Sequence, residues 1–398
     1  MRIAHIAPPW IAVPPANYGG TEMILYNLVE EQVAQGHDVT LLAPGDARTS
    51  ARVVSFFQKS LKESGTPWGS HLKAFYHLWK SMEYVREHEF DIVHTHLSSA
   101  ADMYIFPLAA LLGKPHVMTL HSRFPFDRVD DWIGDADHLY MEWALSVPIV
   151  AISQSACDEV PYPLNFVGVV HHGLPMHDYV PTVQQPGDYF AWLGRITPDK
   201  GPHLAIQAAR EAGVPLVLAG TVDRNVSEAV RYFEEQIEPQ IDGELVRYIG
   251  PANLPQKVEL LSRARGFLNP IMWEEPFGIV MIEAMAVGCP VISFARGASA
   301  EIVVHNRSGF LVCSASEMAR YIAKIDELDR AAIRAYAEKE FSICSMAEKY
   351  TRVYRQVIAT RQRVPARGRS VDWARAGIIP IPTPNDASAS PAAQSGSR

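Results

Sequence analysis

The sequence predicts an α/β protein built from two doubly wound parallel-sheet domains that face each other across a cleft. Three observations carry this expectation. The chain has 398 residues, about twice the usual size of one domain. Short apolar runs alternate with helical segments along most of its length. The alternation then starts afresh after Pro181-Thr182-Val183-Gln184-Gln185-Pro186-Gly187, a polar stretch with two prolines that reads as a linker.

The elements of the first domain, residues 1–180, follow in order. Ile3 to Ala7 is a short apolar strand, and Thr21 to Gln35 carries helical spacing through Ile24, Leu25, Leu28, Val29 and Val33. Gly36 stops that helix and Val39 to Ala43 is the next strand, completing one βαβ unit. Strand-like runs recur at Asp91 to Val93, His116 to Leu120, Ile149 to Ile152 and Phe166 to Val170. In the second domain, residues 188–345, strands are predicted at Tyr189 to Leu193, Val214 to Ala219, Leu245 to Ile249, Phe267 to Asn269 and Pro290 to Phe294. Helices are predicted at Pro202 to Ala212, Gln256 to Arg263 and Phe277 to Val287. Residues 363–398 are rich in Ala, Pro, Ser and Gly, the composition of a disordered tail.

Composition excludes several classes of function. Hydrophobic residues make up 48% and charged residues 20% of the chain, which is neither disordered nor fibrous. With 36 basic and 44 acidic residues the formal charge is -8, so no global positive field exists to hold nucleic acid, and no nucleic-acid partner is expected. Any polyanion has to be met locally. Cys157, Cys289, Cys313 and Cys344 are widely spaced, with no Cys-x-x-Cys pair and no histidine at ligand spacing, which implies reduced thiols, a cytoplasmic setting and no metal site. The longest apolar stretches, such as Ile105 to Leu112, stop well short of the roughly 18 residues of a membrane span. Peripheral contact with a membrane stays open: Ser70 to Glu89 carries Lys73, Lys80 and Arg86 among Phe75, Tyr76, Trp79 and Tyr84, which reads either as a surface-binding face or as a solvated amphipathic crossover helix.

Two familiar nucleotide-binding devices are missing. The first βα turn has Pro8-Pro9-Trp10 and then Gly19-Gly20 in place of Gly-x-Gly-x-x-Gly, and no phosphate loop ending in Gly-Lys-Ser or Gly-Lys-Thr occurs. Gly19-Gly20 precedes a helix, so its backbone N–H groups can approach a ligand; a plain turn is the other reading. The second domain says more. Leu193-Gly194-Arg195 ends its first strand, and Ile196-Thr197-Pro198-Asp199-Lys200-Gly201 leads into a helix starting at Pro202. Arg195 and Lys200 thus flank the positive end of a helix dipole, where a diphosphate is the natural guest; solvation of both side chains is the alternative.

The second motif is Glu274-Glu275-Pro276-Phe277-Gly278 followed by Ile279 to Ile282 and Glu283. The segment from Phe277 to Val287 is apolar on every side except at Glu283, which marks a buried helix with one costly carboxylate. With a helix start near Phe277, Glu275 lies ahead of the N-terminus and Glu283 about two turns in, leaving the N–H groups around Gly278 free for an anion. Two carboxylates repel a diphosphate, so their partners are hydroxyl donors. A diphosphate flanked by hydroxyl-rich rings is a nucleotide sugar. The alternative, in which Glu275 only favours the helix dipole and Glu283 is paired in the core, stays open at this point.

Taken together, these strings resemble the retaining glycosyltransferases of family four, whose GT-B architecture sets two Rossmann-like domains face to face. The resemblance covers about residues 1 to 360 and is strongest in Gly194-Arg195 to Lys200-Gly201 and in Glu275-Pro276-Phe277-Gly278 to Glu283. Gly19-Gly20, Asp91 to His96 and Thr119-Leu120-His121 fall in the same order. It implies that Arg195 and Lys200 hold the donor diphosphate, that Glu283 binds the ribose and Glu275 the transferred sugar, and that Phe277, Gly278 and Ile279 contact sugar and phosphate. It also places Gly250 near the base, Gly19 and Gly20 over the phosphates, and His121 beside the reacting carbon. His121 follows a parallel strand, at the cleft edge, although a lone histidine is more often structural. His94 and His96 alternate along a strand end, so only one is expected to face the cleft, and neither is given a metal.

Implied by the same resemblance is transfer of a hexose from a nucleoside-diphosphate sugar, UDP-glucose first and GDP-mannose next, to an acceptor hydroxyl with retention and with no metal or other cofactor. A final helix around Met346 to Ile358, within residues 346–362, returns to the first domain. His172-Gly173-Leu174-Pro175 departs from the family's usual Asn-Gly-Ile/Val-Asp, which bears on linker geometry more than on chemistry. A sugar-nucleotide epimerase or hydrolase would consume donor without acceptor, and a non-catalytic nucleotide-sugar-binding protein would release no nucleoside diphosphate at all.

Overall fold

The computed structural model describes residues 1–363 apart from 17–18, 68–69, 123, 125–127, 130–131 and 134–138. The tail expected over 363–398 lies, beyond Arg363, outside the described residues. The first sheet has seven parallel strands: β1 (Arg2–Ile6), β2 (Asp38–Leu42), β3 (Arg52–Val54), β4 (Ile92–Leu97), β5 (His116–Leu120), β6 (Ile149–Ala151) and β7 (Phe166–Val169). Their order is β3-β2-β1-β4-β5-β6-β7. The second has six parallel strands: β8 (Phe190–Arg195), β9 (Leu216–Thr221), β10 (Val246–Tyr248), β11 (Gly266–Asn269), β12 (Val291–Phe294) and β13 (Gly309–Val312), in the order β10-β9-β8-β11-β12-β13. Both sheets are doubly wound about their first strand. The strand order reverses at β1/β4 and at β8/β11, and ligands of such sheets bind outside the strand C-termini at that reversal.

Seven helices matter for the site: α1 (Gly20–Ala34), α2 (His71–Glu87), α3 (Pro202–Ala212), α4 (Leu254–Arg263), α5 (Ile279–Ala286), α6 (Arg330–Phe341) and α7 (Ile343–Arg363). Helix α4 begins two residues ahead of the predicted Gln256 because Asn253 and Gln256 form a capping box, each side chain bonding the other's backbone N–H at 3.0 and 2.9 Å. Helix α5 begins two residues after the predicted Phe277. Gly278 takes the left-handed conformation with φ +83° and serves as its N-cap, so Glu283 lies about one turn into the helix and not two.

The core follows from the strand sequences. Both faces of each sheet are covered, and the second sheet's strands are accordingly rich in apolar residues, with Ala191, Trp192, Val217, Leu218, Phe267 and Ile292 all nearly inaccessible, whereas the first sheet also buries His5, His94, His96 and Thr119. Helix α2 buries Ala74, His77, Leu78, Met82 and Val85 on one side and exposes Leu72, Tyr76 and Trp79 on the other. Among the described residues no helix is long and apolar enough to cross a membrane. Helix α7 follows the second sheet in the chain but packs on the first: Met346, Tyr350, Val353, Tyr354 and Val357 join Ile3, Ile24, Leu28, Val117 and Val170 in one apolar cluster.

The chain therefore crosses between the sheets twice, and the crossings touch. Leu174 N–H donates to Phe341 O at 2.8 Å, and Ile343 N–H donates to Leu174 O at 2.9 Å. A β-carbon on Gly173 would lie 2.5 Å from Ser342 O, so only glycine allows this approach.

Candidate active site

On the second sheet, glycines stand near the C-terminal ends of β8 and β9 and just after β10, with the Trp192 ring against Gly194 and Gly220 and Tyr248 OH donating to Gly220 O at 2.8 Å. Gly194 is in register with Gly220, whose N–H donates to Gly250 O at 2.8 Å, and a β-carbon on Gly220 would lie 1.8 Å from Gly194 O. Arg195, at the end of β8, is exposed and makes no ion pair among the described residues. Lys200 ends a short 3-10 turn over Pro198–Lys200, and Gly201 behind it is left-handed with φ +67°, where a β-carbon would meet Pro270 O at 2.1 Å. Lys200 Cβ is 3.9 Å from where a β-carbon on Gly194 would stand, so the lysine sits at the same edge.

The Lys200 ammonium donates to Glu275 Oε2 and lies 5.0 Å from the centre of the Trp273 ring, whose Nε1 donates to the same carboxylate oxygen at 3.1 Å. The two charged side chains are 19% and 15% exposed, so simple surface solvation does not describe Lys200, although it does describe Arg195. The loop carrying Glu275 is held from behind by the turn after β12. Glu274 accepts from Gly297 N–H at 2.5 Å and pairs with Arg296, while Ala298 N–H donates to Glu275 O at 2.9 Å. Phe277 is buried, and Gly278 leaves the first N–H groups of α5 without a side-chain cap.

Glu283 is 4% exposed. It is paired: Lys257 from α4 donates to its Oε1, and Tyr179 OH donates to the same atom at 2.8 Å. Burial, reinforced by this carboxylate, pushes the Tyr179 phenol far above its usual range and keeps it a donor. Neither Lys257 nor Tyr179 was expected from the sequence. The signal available there was indirect, since a carboxylate on a buried apolar helix demands a cation or donor, but nothing in the spacing says which.

The first sheet supplies the opposite wall. A β-carbon on Gly20 would stand 3.9 Å from Ile279 Cδ1, which sets the start of α1 directly against the start of α5. At Gly19 a β-carbon would meet Glu22 Oε2 and Pro15 Cβ, both at 2.9 Å. Glu22 itself is buried, and that burial pushes its carboxyl up to about 7. His121 follows β5 and stacks on His172, with ring centres 5.4 Å apart; His172 in turn meets Phe277 edge-on at 4.9 Å. The walls also touch through Ser153, whose hydroxyl donates to Pro276 O at 2.6 Å, and through Glu301, which accepts from Gln154 and Ser155 N–H at 2.8 and 2.7 Å. Arg195, Lys200, Gly250, Glu275, Phe277, Gly278, Ile279 and Glu283 belong to the second domain and Gly19, Gly20 and His121 to the first, and the two domains meet close to them, at Gly20 beside Ile279 and at His172 against Phe277.

One expectation fails here. His94 and His96 do not split between core and cleft; both are buried, because residues two apart on a strand point to the same face. Together with His5 they offer ligand atoms within 4.8 Å of one another, a metal-compatible spacing. Every ring nitrogen of the three nevertheless has a protein hydrogen-bond partner.

With this geometry in view, the similarity to known proteins becomes decisive. Residues 18–175 match the family described as glycosyltransferase family 4, and residues 182–340 match glycosyl transferases group 1. The chain belongs to the family 4, group 1 glycosyltransferases. This glycosyltransferase is 32% identical over 301 residues to the alpha-maltose-1-phosphate synthase of Mycolicibacterium smegmatis, covering 63% of this chain and 76% of that protein. Among solved structures it resembles the sucrose-phosphate synthase of Thermosynechococcus elongatus, with a TM-score of 0.70 at 19% identity over 90% of this chain and 99% of the other. It also resembles Anabaena Alr3699/HepE solved in complex with UDP-glucose, with a TM-score of 0.62 at 17% identity over 92% and 100%. These neighbours share the two-domain GT-B fold, so the glycosyltransferase is a GT-B protein of two Rossmann-like domains.

Proposed function

We propose that this glycosyltransferase moves glucose from UDP-glucose to an acceptor hydroxyl with retention at the anomeric carbon. The observation that supports it best is the contact between Lys200 and Glu275, with the exposed Arg195 at the end of β8 and Glu283 one turn into α5. The leaving diphosphate gains negative charge in the transition state. Arg195, Lys200 and the uncapped N–H groups of α5 meet that charge with preorganised donors. Lys200 meets the phosphate from the position that its pair with Glu275 sets, and Glu275 Oε1, the oxygen that Lys200 and Trp273 leave free, accepts from a sugar hydroxyl. Glu283 accepts from the ribose hydroxyls alongside Tyr179. With both carboxylates engaged by hydroxyls, the departing phosphate oxygen takes the acceptor proton on the same face. The choice of UDP-glucose over GDP-mannose draws on the fold shared with a neighbour solved with UDP-glucose.

The test is a thermal-shift screen followed by a product assay. UDP-glucose should raise the melting temperature by mass action more than GDP-mannose does. UDP release should require an acceptor, and a chelator should leave turnover unchanged, because the cations of the site are side chains. Preferential stabilisation by GDP-mannose would overturn the donor assignment. Glu283→Ala should weaken UDP binding by about ten- to a hundredfold, the value of hydrogen bonds to a charged group. Calorimetry that finds unaltered UDP affinity would exclude the ribose role.

A further inference from the structure

A row of hydrogen-bonded side chains runs from the cleft edge into the core of the first domain. His121 Nε2 lies 2.8 Å from His96 Nδ1, His96 Nε2 lies 3.0 Å from His5 Nδ1, and His5 Nε2 lies 2.8 Å from Gln32 Oε1. Gln32 Nε2 donates to Tyr354 OH on α7 at 3.2 Å in the arrangement with the amide oxygen towards His5, the orientation on which the proton order of the row rests. His5 and Gln32 are inaccessible to solvent and His96 is nearly so. The donor site described above uses none of these residues except His121.

A neutral imidazole carries one ring proton, so fixing the proton at one end of the row fixes all of them. The Gln32 carbonyl oxygen can only accept, which makes His5 Nε2 a donor and His5 Nδ1 an acceptor. His96 Nε2 must then donate, leaving His96 Nδ1 to accept. His121 Nε2 is therefore the donor to His96, and His121 keeps a lone pair on Nδ1, a buried atom with no hydrogen-bond partner among the described residues. Burial keeps the rings neutral: it lowers His5 to about 4 and His121 to about 3, and holds His96 well below the usual histidine range. The other titratable groups facing the row are His94, His116, His172, Tyr350 and Tyr354. No carboxylate hydrogen-bonds to His5, His96 or His121 among the described residues.

We propose that Gln32 and His5, acting through His96, hold His121 in its Nε2-protonated tautomer, so that Nδ1 is a fixed acceptor for a hydroxyl of the bound donor sugar. Gln32, His5 and His96 are positioning residues; none touches the donor. The proposal rests on the cleft being a nucleotide-sugar site.

The test reads the protons directly. Long-range 1H–15N correlation on histidine-labelled full-length protein, assigned by single substitutions, should show His5, His96 and His121 all protonated at Nε2. A proton on His121 Nδ1 in the wild type overturns the proposal without any variant. Gln32→Met removes the acceptor and should give a tautomer mixture at His121, with KM for UDP-glucose up to about tenfold higher, the value of one hydrogen bond, and kcat changed less. Gln32→Glu keeps an acceptor towards His5 and should restore the wild-type tautomer. An unaltered His121 spectrum in Gln32→Met would refute the relay. UDP-glucose, but not UDP, should shift the His121 Nδ1 resonance; a resonance unmoved by UDP-glucose that demonstrably stabilises the protein would refute the sugar contact. If UDP-glucose does not stabilise the protein, the donor reading fails, and the tautomer measurement still decides the relay.

Discussion

Lys200→Ala should lower kcat by a factor on the order of 10² or more, the usual cost of removing one preorganised donor from a developing anion. The side chain is held in place by an ion pair to Glu275 and by the face of Trp273, so its position is set before any diphosphate arrives. Such preorganisation is what makes a cation effective, since no side chain has to be ordered during the reaction. The fold should survive the change, because the turn behind Lys200 is fixed by the left-handed Gly201 and by the hydrogen bond that the Trp192 indole Nε1 donates to Lys200 O at 3.2 Å. Binding of UDP should fall less than kcat, since Arg195 and the α5 N-terminus also meet the phosphates. Combining Lys200→Ala with Glu275→Ala should cost less than the product of the single effects, because each residue positions the other. Steady-state kinetics on the three variants checks this. Wild-type turnover in Lys200→Ala would refute the phosphate role.

The folded protein should lose stability steeply as the pH falls from about 6.5 towards 4. Six described histidines are buried and neutral: burial lowers His5 and His77 to about 4 and His121 to about 3, and burial with neighbouring histidines holds His94, His96 and His172 well below 6.5. In the unfolded chain each takes up a proton near 6.5, so their stabilisation is complete above that pH and is lost as the pH drops towards the folded values. Each contributes a slope of about 1.4 kcal/mol per pH unit within that window. Two buried carboxyls oppose them. Burial raises Glu22 to about 7 and Asp102 to about 6, and between those values and their ordinary 4.5 and 3.8 the folded state holds protons that the unfolded chain lacks. Acid therefore favours folding through these two, but six groups against two leave a net loss. Urea unfolding followed at steps across this range should show the midpoint falling throughout, and a flat profile would contradict the buried neutral cluster.

Much of this was legible in the chain because glycine and proline punctuate it. Helix α3 runs over the predicted residues, since Gly201 and Pro202 open it and Gly213 closes it in the left-handed conformation. Strands β3 and β13 were not predicted, although β6 and β10, each only three residues long, were, so shortness alone does not explain the miss. The start of α5 was misplaced by two residues because sequence pattern does not report that Gly278 turns left-handed before the helix begins. Glu275 and Glu283 stood out by their setting, yet the partners that hold Glu283 come from residues 26 and 104 positions away in the chain, a pairing only the folded arrangement creates. His94 and His96 were visible as a pattern and misread, since alternation along a strand places both on one face.

The bonds that fasten Leu174 to Phe341 and Ile343 set how the two halves can move. Because both passages of the chain between the sheets are stitched together at a single locus, the halves can swing about that pivot but cannot slide past one another. Any rotation of one half against the other would therefore displace residues least beside this locus, where Phe277 and His172 meet, and most at positions far from it.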